Sequence, residues 1–214
     1  DTDYDPKSGR RRLLDQLHVQ SLEGYGAQGL EPAIGAAGAL IQYLRDTQLS
    51  ALDHINHLNV YSPSDFLALD FTTQRSLELV QTIHGGRDGT LLGVLDQTMT
   101  AMGGRMLRDW MLQPLQSVEH IRARLDAIDE IIRNTTLRAR LIERLRAVQD
   151  LERIVSRTGL GAANPRDLAS LRQSLHQVGP MIETLGDVES DLLVRLRDQL
   201  DPHPELLDLL SRGL

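Results

Sequence analysis

From Asp70 onward, apolar side chains return every three or four residues with few interruptions, and a chain with that period folds as helices. Val118, Ile121, Leu125, Ile128 and Ile132 fall 3, 4, 3 and 4 residues apart, a heptad-like stripe that Ser117 can cap. After Asn134 the pattern restarts as Leu137, Leu141, Leu145 and Val148. Leu151, Ile154 and Val155 mark a short helix that closes near Gly159 and Gly161. The clearest start is Asn164-Pro165-Arg166-Asp167: a capping side chain, a proline at the first helical position, and an acid in the electropositive first turn. The stripe that follows, Leu168, Leu171, Leu175, Val178, Ile182 and Leu185, runs through Gly179-Pro180. Proline removes one backbone bond, so a kink or a break belongs there. Asp187 begins a further helix carrying Leu192, Leu193, Leu196 and Leu200.

Upstream of that series, Asp70 can cap a helix through Leu77, Leu79, Val80 and Ile83, ended by Gly85-Gly86. Thr90–Asp96 is a short helix, and Ala101–Leu112 is another that Pro114 stops. The last apolar run, Leu206–Leu210, reads as a helix cut short. Leu206, Leu207, Leu209 and Leu210 are expected to lack cover, giving self-association or disorder there.

The first 30 residues differ. Asp5–Gly9 reads as a turn and Arg10–Leu17 as a short helix; Gly24, Gly26 and Gly29 form a glycine-rich break. Arg10–Arg12 reads as a solvated helix face, with Asp15 in reach of Arg11 and Arg12. Glu31–Thr47 is helical, with Pro32 in its first turn; Gly35 and Gly38, among three alanines, let another helix approach closely. Residues 54–61 and 65–69 flank Ser62-Pro63-Ser64, a turn signal. The expected fold is therefore mainly α: a multi-helix domain with one small β-hairpin near residues 54–69.

Composition narrows the function. The 214 residues hold 23 Lys and Arg against 30 Asp and Glu, a net charge of -7, where a phosphate-gripping module carries the opposite sign. Aromatics at 3% are too few for a base-stacking platform. Absence of cysteine excludes disulfides, cysteine metal sites and thiol nucleophiles. No apolar run is long enough to span a bilayer, and the acidic N-terminus is unlike a signal peptide. The expectation is a cytoplasmic protein with no membrane contact.

The candidate chemistry is thin. Gly24-Tyr25-Gly26-Ala27-Gln28-Gly29 spells GxGxxG, with Asp46 twenty residues past Gly26, the placement of a dinucleotide site; no series of β-α-β units follows to build the parallel sheet it needs. His54 and His57 would face opposite sides of a strand, poor geometry for one metal. Asp96, Asp126, Asp129 and Glu130 have arginines three or four residues off on helices, such as Arg122 and Arg133, and read as solvated ion pairs. No GxxxxGK[ST] phosphate loop, GxSxG elbow or HExxH occurs in the 214 residues. No catalytic, cofactor-binding or metal-binding residue is assigned.

One stretch says more. Residues 90–115, from Thr90 through Asp96-Gln97-Thr98, Gly103-Gly104-Arg105 and Trp110 to Pro114-Leu115, resemble the core-domain signature of the MutS family of DNA mismatch-repair proteins. Ala36–Leu44 with Asp46-Thr47-Gln48 is similar to that family's entry into the core. So are Leu69-Asp70, Thr73-Gln74-Arg75 and Leu77-Glu78-Leu79, where Ser76 replaces the usual asparagine. Asp150–Ile154 and Pro165–Leu168 continue the likeness, and Leu22–Gly26 resembles the end of the connector domain.

The resemblance implies that residues 1–29 are the tail of the connector and residues 30–214 the first segment of the core, or lever, domain, truncated before the DNA clamp. The family's mismatch-reading Phe-x-Glu motif and its ATP loop have no counterpart here, so no family site residue carries over and no cofactor is expected in this segment. For a whole protein of this kind it implies ATP and Mg, a homodimer, and mismatched DNA and MutL as partners. The helices would couple the DNA-binding and ATPase ends. Two other readings stay open: a free-standing helical scaffold, and a dinucleotide enzyme using Gly24, Gly26 and Gly29.

Overall fold

A computed structural model describes residues 4–47, 52, 55, 56, 58, 60 and 65–213. The chain divides into two compact units, residues 1–62 and 63–214.

The first unit is a helix pair. Helix α1 spans Pro6–Leu17 and α2 spans Glu31–Thr47. The expected turn at Asp5–Gly9 is instead the start of α1: Asp5 accepts the Ser8 N–H at 2.9 Å, and Pro6 takes the first helical position. Gly9 therefore lies inside a helix, where it matters most. A Cβ built on it would lie 2.6 Å from the Ile34 carbonyl oxygen, and one built on Gly38 would strike the Gly9 backbone. The two helices touch main chain to main chain at glycines, as Gly35 and Gly38 led one to expect. Leu13, Leu17, Leu22, Ala27, Ile34 and Ile41 form the core beside that contact. Gln16 is buried and satisfied: its amide donates to the Leu52 and Ile55 carbonyls at 2.8 and 3.1 Å, and its oxygen accepts from Arg45.

The second unit holds α3 (Phe71–Ser76), α4 (Leu91–Leu95), α5 (Ala101–Leu112), α6 (Val118–Arg133), α7 (Thr135–Arg146), α8 (Leu151–Gly159), α9 (Pro165–Leu175), α10 (Val178–Thr184), α11 (Asp191–Asp198) and α12 (Pro204–Gly213). Ser117, Asn134, Asp150 and Asn164 cap the helices that follow them, and Asn164 with Asp167 completes a reciprocal capping box. The run through Gly179-Pro180 does break, into α9 and α10. Two apolar clusters hold the unit. One joins Ala127, Leu137, Leu185, Val188 and Leu193; the other joins Ile154, Leu171, Leu175 and Leu210. Ser174, fully buried, ties α9 to the loop before α8: its hydroxyl donates to Ser170 and accepts the Gln149 N–H at 2.9 Å.

Several expectations are corrected. No strand occurs among the described residues; the second arm of the hairpin shows only an isolated antiparallel bridge from Phe66 to Leu115. Much of the first arm, including His54 and His57, lies outside the described residues. Phe66 pairs across 49 residues because the extended segment after α5 offers free backbone groups: the Leu67 N–H donates to Pro114 at 2.7 Å and the Gln116 N–H to Asp65 at 3.1 Å.

Asp70 caps α3, but that helix stops at Ser76. Glu78 turns left-handed (φ 46°), and the carbonyls of Glu78 and Leu79 accept the N–H groups of Leu91 and Leu92 that open α4. Helix α11 starts at Asp191, four residues after Asp187, because the N–H groups of Glu189 and Ser190 bond to Glu130 of α6. Helix α12 is formed and docked on α9. Leu210 is buried and Leu207 packs against the same cluster, leaving only Leu206 and Leu209 exposed of the four.

Candidate interaction surface

The signature stretch 90–115 holds α4, α5 and the capped turn between them. Thr90, fully buried, donates to the Arg87 carbonyl at 2.7 Å and accepts the Gly93 N–H at 2.9 Å, capping α4. Thr100 caps α5 through the Gly103 N–H at 3.0 Å. Between them Asp96 accepts the Thr98 N–H and hydroxyl at 3.0 and 2.7 Å and pairs with Arg87. Those Thr98 bonds, with the Arg87 guanidinium, hold the Asp96 carboxyl down at about 2.

Three contacts then tie segments of this unit together. Arg105 on α5 reaches Asp150, at the cap of α8, with Nη1 at 3.0 Å and Nη2 at 2.6 Å, and Glu152 with Nε at 3.0 Å. These bonds hold the guanidinium charged and depress Asp150. Arg124 on α6 stacks 3.7 Å over the Trp110 ring on α5. Glu130 on α6 accepts the N–H groups of Glu189 and Ser190, both at 2.8 Å. Its partial desolvation pushes its pKa up, but the bonds from Ser190 and Glu189 outweigh that and leave it below the usual range.

Within this frame α6 is turned inside out. Its inward face carries Ala127, buried, with Ala123, Arg124, Glu130 and Ile131 partly covered. Its outward face carries Val118, Ile121, Leu125, Ile128 and Ile132, each between 37% and 60% exposed. The heptad stripe is thus an open seam.

The other candidate residues resolve as follows. Glu23–Tyr25 is a single 3-10 turn between α1 and α2, with Gly26 and Gly29 left-handed (φ 71° and 77°). Among the described residues no strand precedes Gly24, so they do not form the strand-to-helix turn that a GxGxxG site requires. Arg10 pairs with Glu31 of α2 at 2.8 Å rather than with its own helix. Asp129 pairs with Arg133 at 2.9 Å as the spacing predicts, whereas Glu130 turns to the loop before α11. Asp126, Asp129 and Glu130 share an open groove with Asp187 and Glu189, yet no three His, Asp or Glu among the described residues converge as metal ligands. No described helix is long and apolar enough to cross a membrane. Spacing alone gave no hint of the Arg105 clamp, since its partners lie 45 and 47 residues away.

What the fold and this surface define is a helical packing module, whose built features are cross-helix clamps and an apolar seam. Comparison with known sequences places it. The family described as MutS domain III matches residues 72–213, and MutS domain II matches residues 1–56. The DNA mismatch repair protein MutS of Symbiobacterium thermophilum is 42% identical over 205 residues, covering 95% of this chain and 23% of that protein. That of Thermosynechococcus vestitus is 43% identical over 214 residues, covering 99% and 24%; that of Halothermothrix orenii is 39% identical over 209 residues, covering 97% and 23%. The chain belongs to the MutS family. It spans about a quarter of the length of the curated relatives it matches.

Proposed function

We propose that this chain works in DNA mismatch repair as the helical connector-to-core segment of a MutS protein, coupling the DNA-binding end to the ATPase end. The observation that carries the reading is the Arg105 clamp: one guanidinium holds α5 to the start of α8 through two carboxylates. Helices clamped this way move together, because packed interfaces shift between discrete arrangements and do not deform continuously. Such a body transmits displacement from one end to the other. In this reading residues 1–29 close the connector and residues 30–214 open the core. The whole protein would bind ATP with Mg, pair as a homodimer, and engage mismatched DNA and MutL through parts that this segment does not supply.

The test is Arg105→Ala in the whole mismatch-repair protein carrying this chain. Basal ATP turnover and mismatch affinity should stay near native, while the change in ATP turnover on adding mismatched DNA should shrink. Native coupling in a folded Arg105→Ala protein would overturn the reading. The 214-residue chain alone should hydrolyse no ATP and bind mismatched and paired DNA alike; turnover, or a preference for the mismatch, would refute the division of labour.

A further inference from the structure

The net charge of -7 conceals a local reversal. Residues 135–177 hold eight arginines against four carboxylates. Three of those carboxylates are already taken: Asp150 and Glu152 by Arg105 from outside the segment, and Asp167 by Arg157. Helix α9, with the two residues that follow it, turns a polar stripe to the surface. Arg166, Ser170, Gln173 and Gln177 follow one another at steps of 4, 3 and 4 residues, with Arg172 and His176 beside them, one turn apart. They line an open groove of about 540 Å³ that α12 borders on one side. At about 1.5 Å per residue the stripe runs about 16 Å. Among the described residues no carboxylate lines the groove, and on the α12 side Asp208 is turned to Arg212. None of the six side chains has a hydrogen-bond or ion-pair partner among the described residues.

We propose that this groove binds the phosphate backbone of a nucleic-acid duplex, without regard to its bases. Two guanidiniums, an imidazole, two amides and a hydroxyl are the donor types from which phosphate oxygens accept. Arg166 and Arg172 stand about 9 Å apart along α9, and successive phosphates of one strand advance about 3.4 Å along a duplex, so each arginine reaches its own phosphate. The lining tells against other occupants. A protein face needs an apolar centre to bury, with aromatic or aliphatic anchors, and Ala169 is the groove's one apolar residue. That holds equally for the parts of a longer chain lying outside these 214 residues. An unpaired strand needs aromatic rings to stack on, and none lines the groove. The contact reads no base, so it is blind to a mismatch; it goes beyond the coupling proposed above and does not rest on it.

Fluorescence anisotropy of a short, fully paired DNA duplex, titrated with the 214-residue chain in low salt, tests this. Binding is expected, and log K should fall by about 1.8 for each tenfold rise in salt, the release that two phosphate contacts give. Arg166→Gln and Arg172→Gln should each weaken binding about fivefold and lower that slope by about 0.9. Helix content should not change, because neither side chain gives up a partner. Arg122→Gln, which removes the same charge from α6, should leave affinity and slope near native. Poly-glutamate should compete poorly, and the unpaired strand should bind more weakly than the duplex. No binding in low salt, a loss in Arg122→Gln equal to those on α9, an unchanged slope in Arg166→Gln or Arg172→Gln, or tighter binding of the unpaired strand would each overturn the proposal. So would poly-glutamate displacing the duplex at matched charge, which would assign the groove to an acidic polypeptide.

Discussion

Gly38→Ala is the substitution for which local propensity and tertiary packing disagree most clearly. Alanine is favoured over glycine inside a helix by about 1 kcal/mol, so α2 by itself should gain. The structure sets a larger cost against that. The new methyl would strike the Gly9 main chain, which has no flexible end to swing aside. The helices must separate, loosening Leu13, Leu17, Ile34 and Ile41 at once. Overpacking costs about 1–3 kcal/mol, and against rigid main chain the upper part of that range, about 2–3 kcal/mol, applies, so a net loss of about 1–2 kcal/mol follows. Amide exchange resolved by peptide reads it: amides in residues 6–17 and 31–47 should exchange about 5- to 30-fold faster. Trp110 emission, which reports the other unit, should keep its urea midpoint. Gly159→Ala is the control, since a methyl there meets nothing within 4 Å and should stabilise α8 by up to about 1 kcal/mol. If the 6–17 and 31–47 amides of Gly38→Ala are protected as well as in the native chain, the main-chain contact is not what sets the helix spacing.

Ser174→Ala should cost about 1–3 kcal/mol in urea unfolding, because the Gln149 N–H loses its acceptor at a buried site; an unchanged midpoint would count against that bond. Asp96, Asp150 and Glu130 are all more acidic in the folded chain than when unfolded. Each therefore contributes stability that is full well above its unfolded pKa and is lost as pH falls through the folded one. For Asp96 that window runs from the ordinary aspartate value of 3.8 down to about 2. Melting temperature should fall across it, and Asp96→Asn should flatten the fall. Neighbours on α6 should behave oppositely: Ala127→Leu should destabilise by about 1–3 kcal/mol, while Ile128→Gln stays within about 0.5 kcal/mol.

The local signals were legible because they are local. Asp70, Ser117 and Asn164 start the helices they were expected to start, because a short side chain bonding an N–H three residues ahead needs only its own segment. Pro114 and Gly179-Pro180 act at once on the backbone that carries them, and α5 ends and α9 gives way to α10 as they require. The resemblance over residues 90–115 was readable for the same reason: its threonines and Asp96 serve a continuous run of turns.

What the sequence could not decide is which partner each face and each free backbone group would take. The 3,4,3,4 stripe of α6 fixed that a helix forms and that one side is apolar. Only the assembled unit put Ala127 inside and Leu125 outside, because the Leu137, Leu185 and Leu193 side chains left room for a small residue. Helix α3 stops where the carbonyls of Glu78 and Leu79 are claimed by α4, and α11 starts late because Glu130 holds the N–H groups before it. Those partners lie 13 to 60 residues away in the chain. A residue's own neighbours determine whether it can turn into a helix; where that helix ends, and which side it shows to solvent, is settled by groups that only folding brings near.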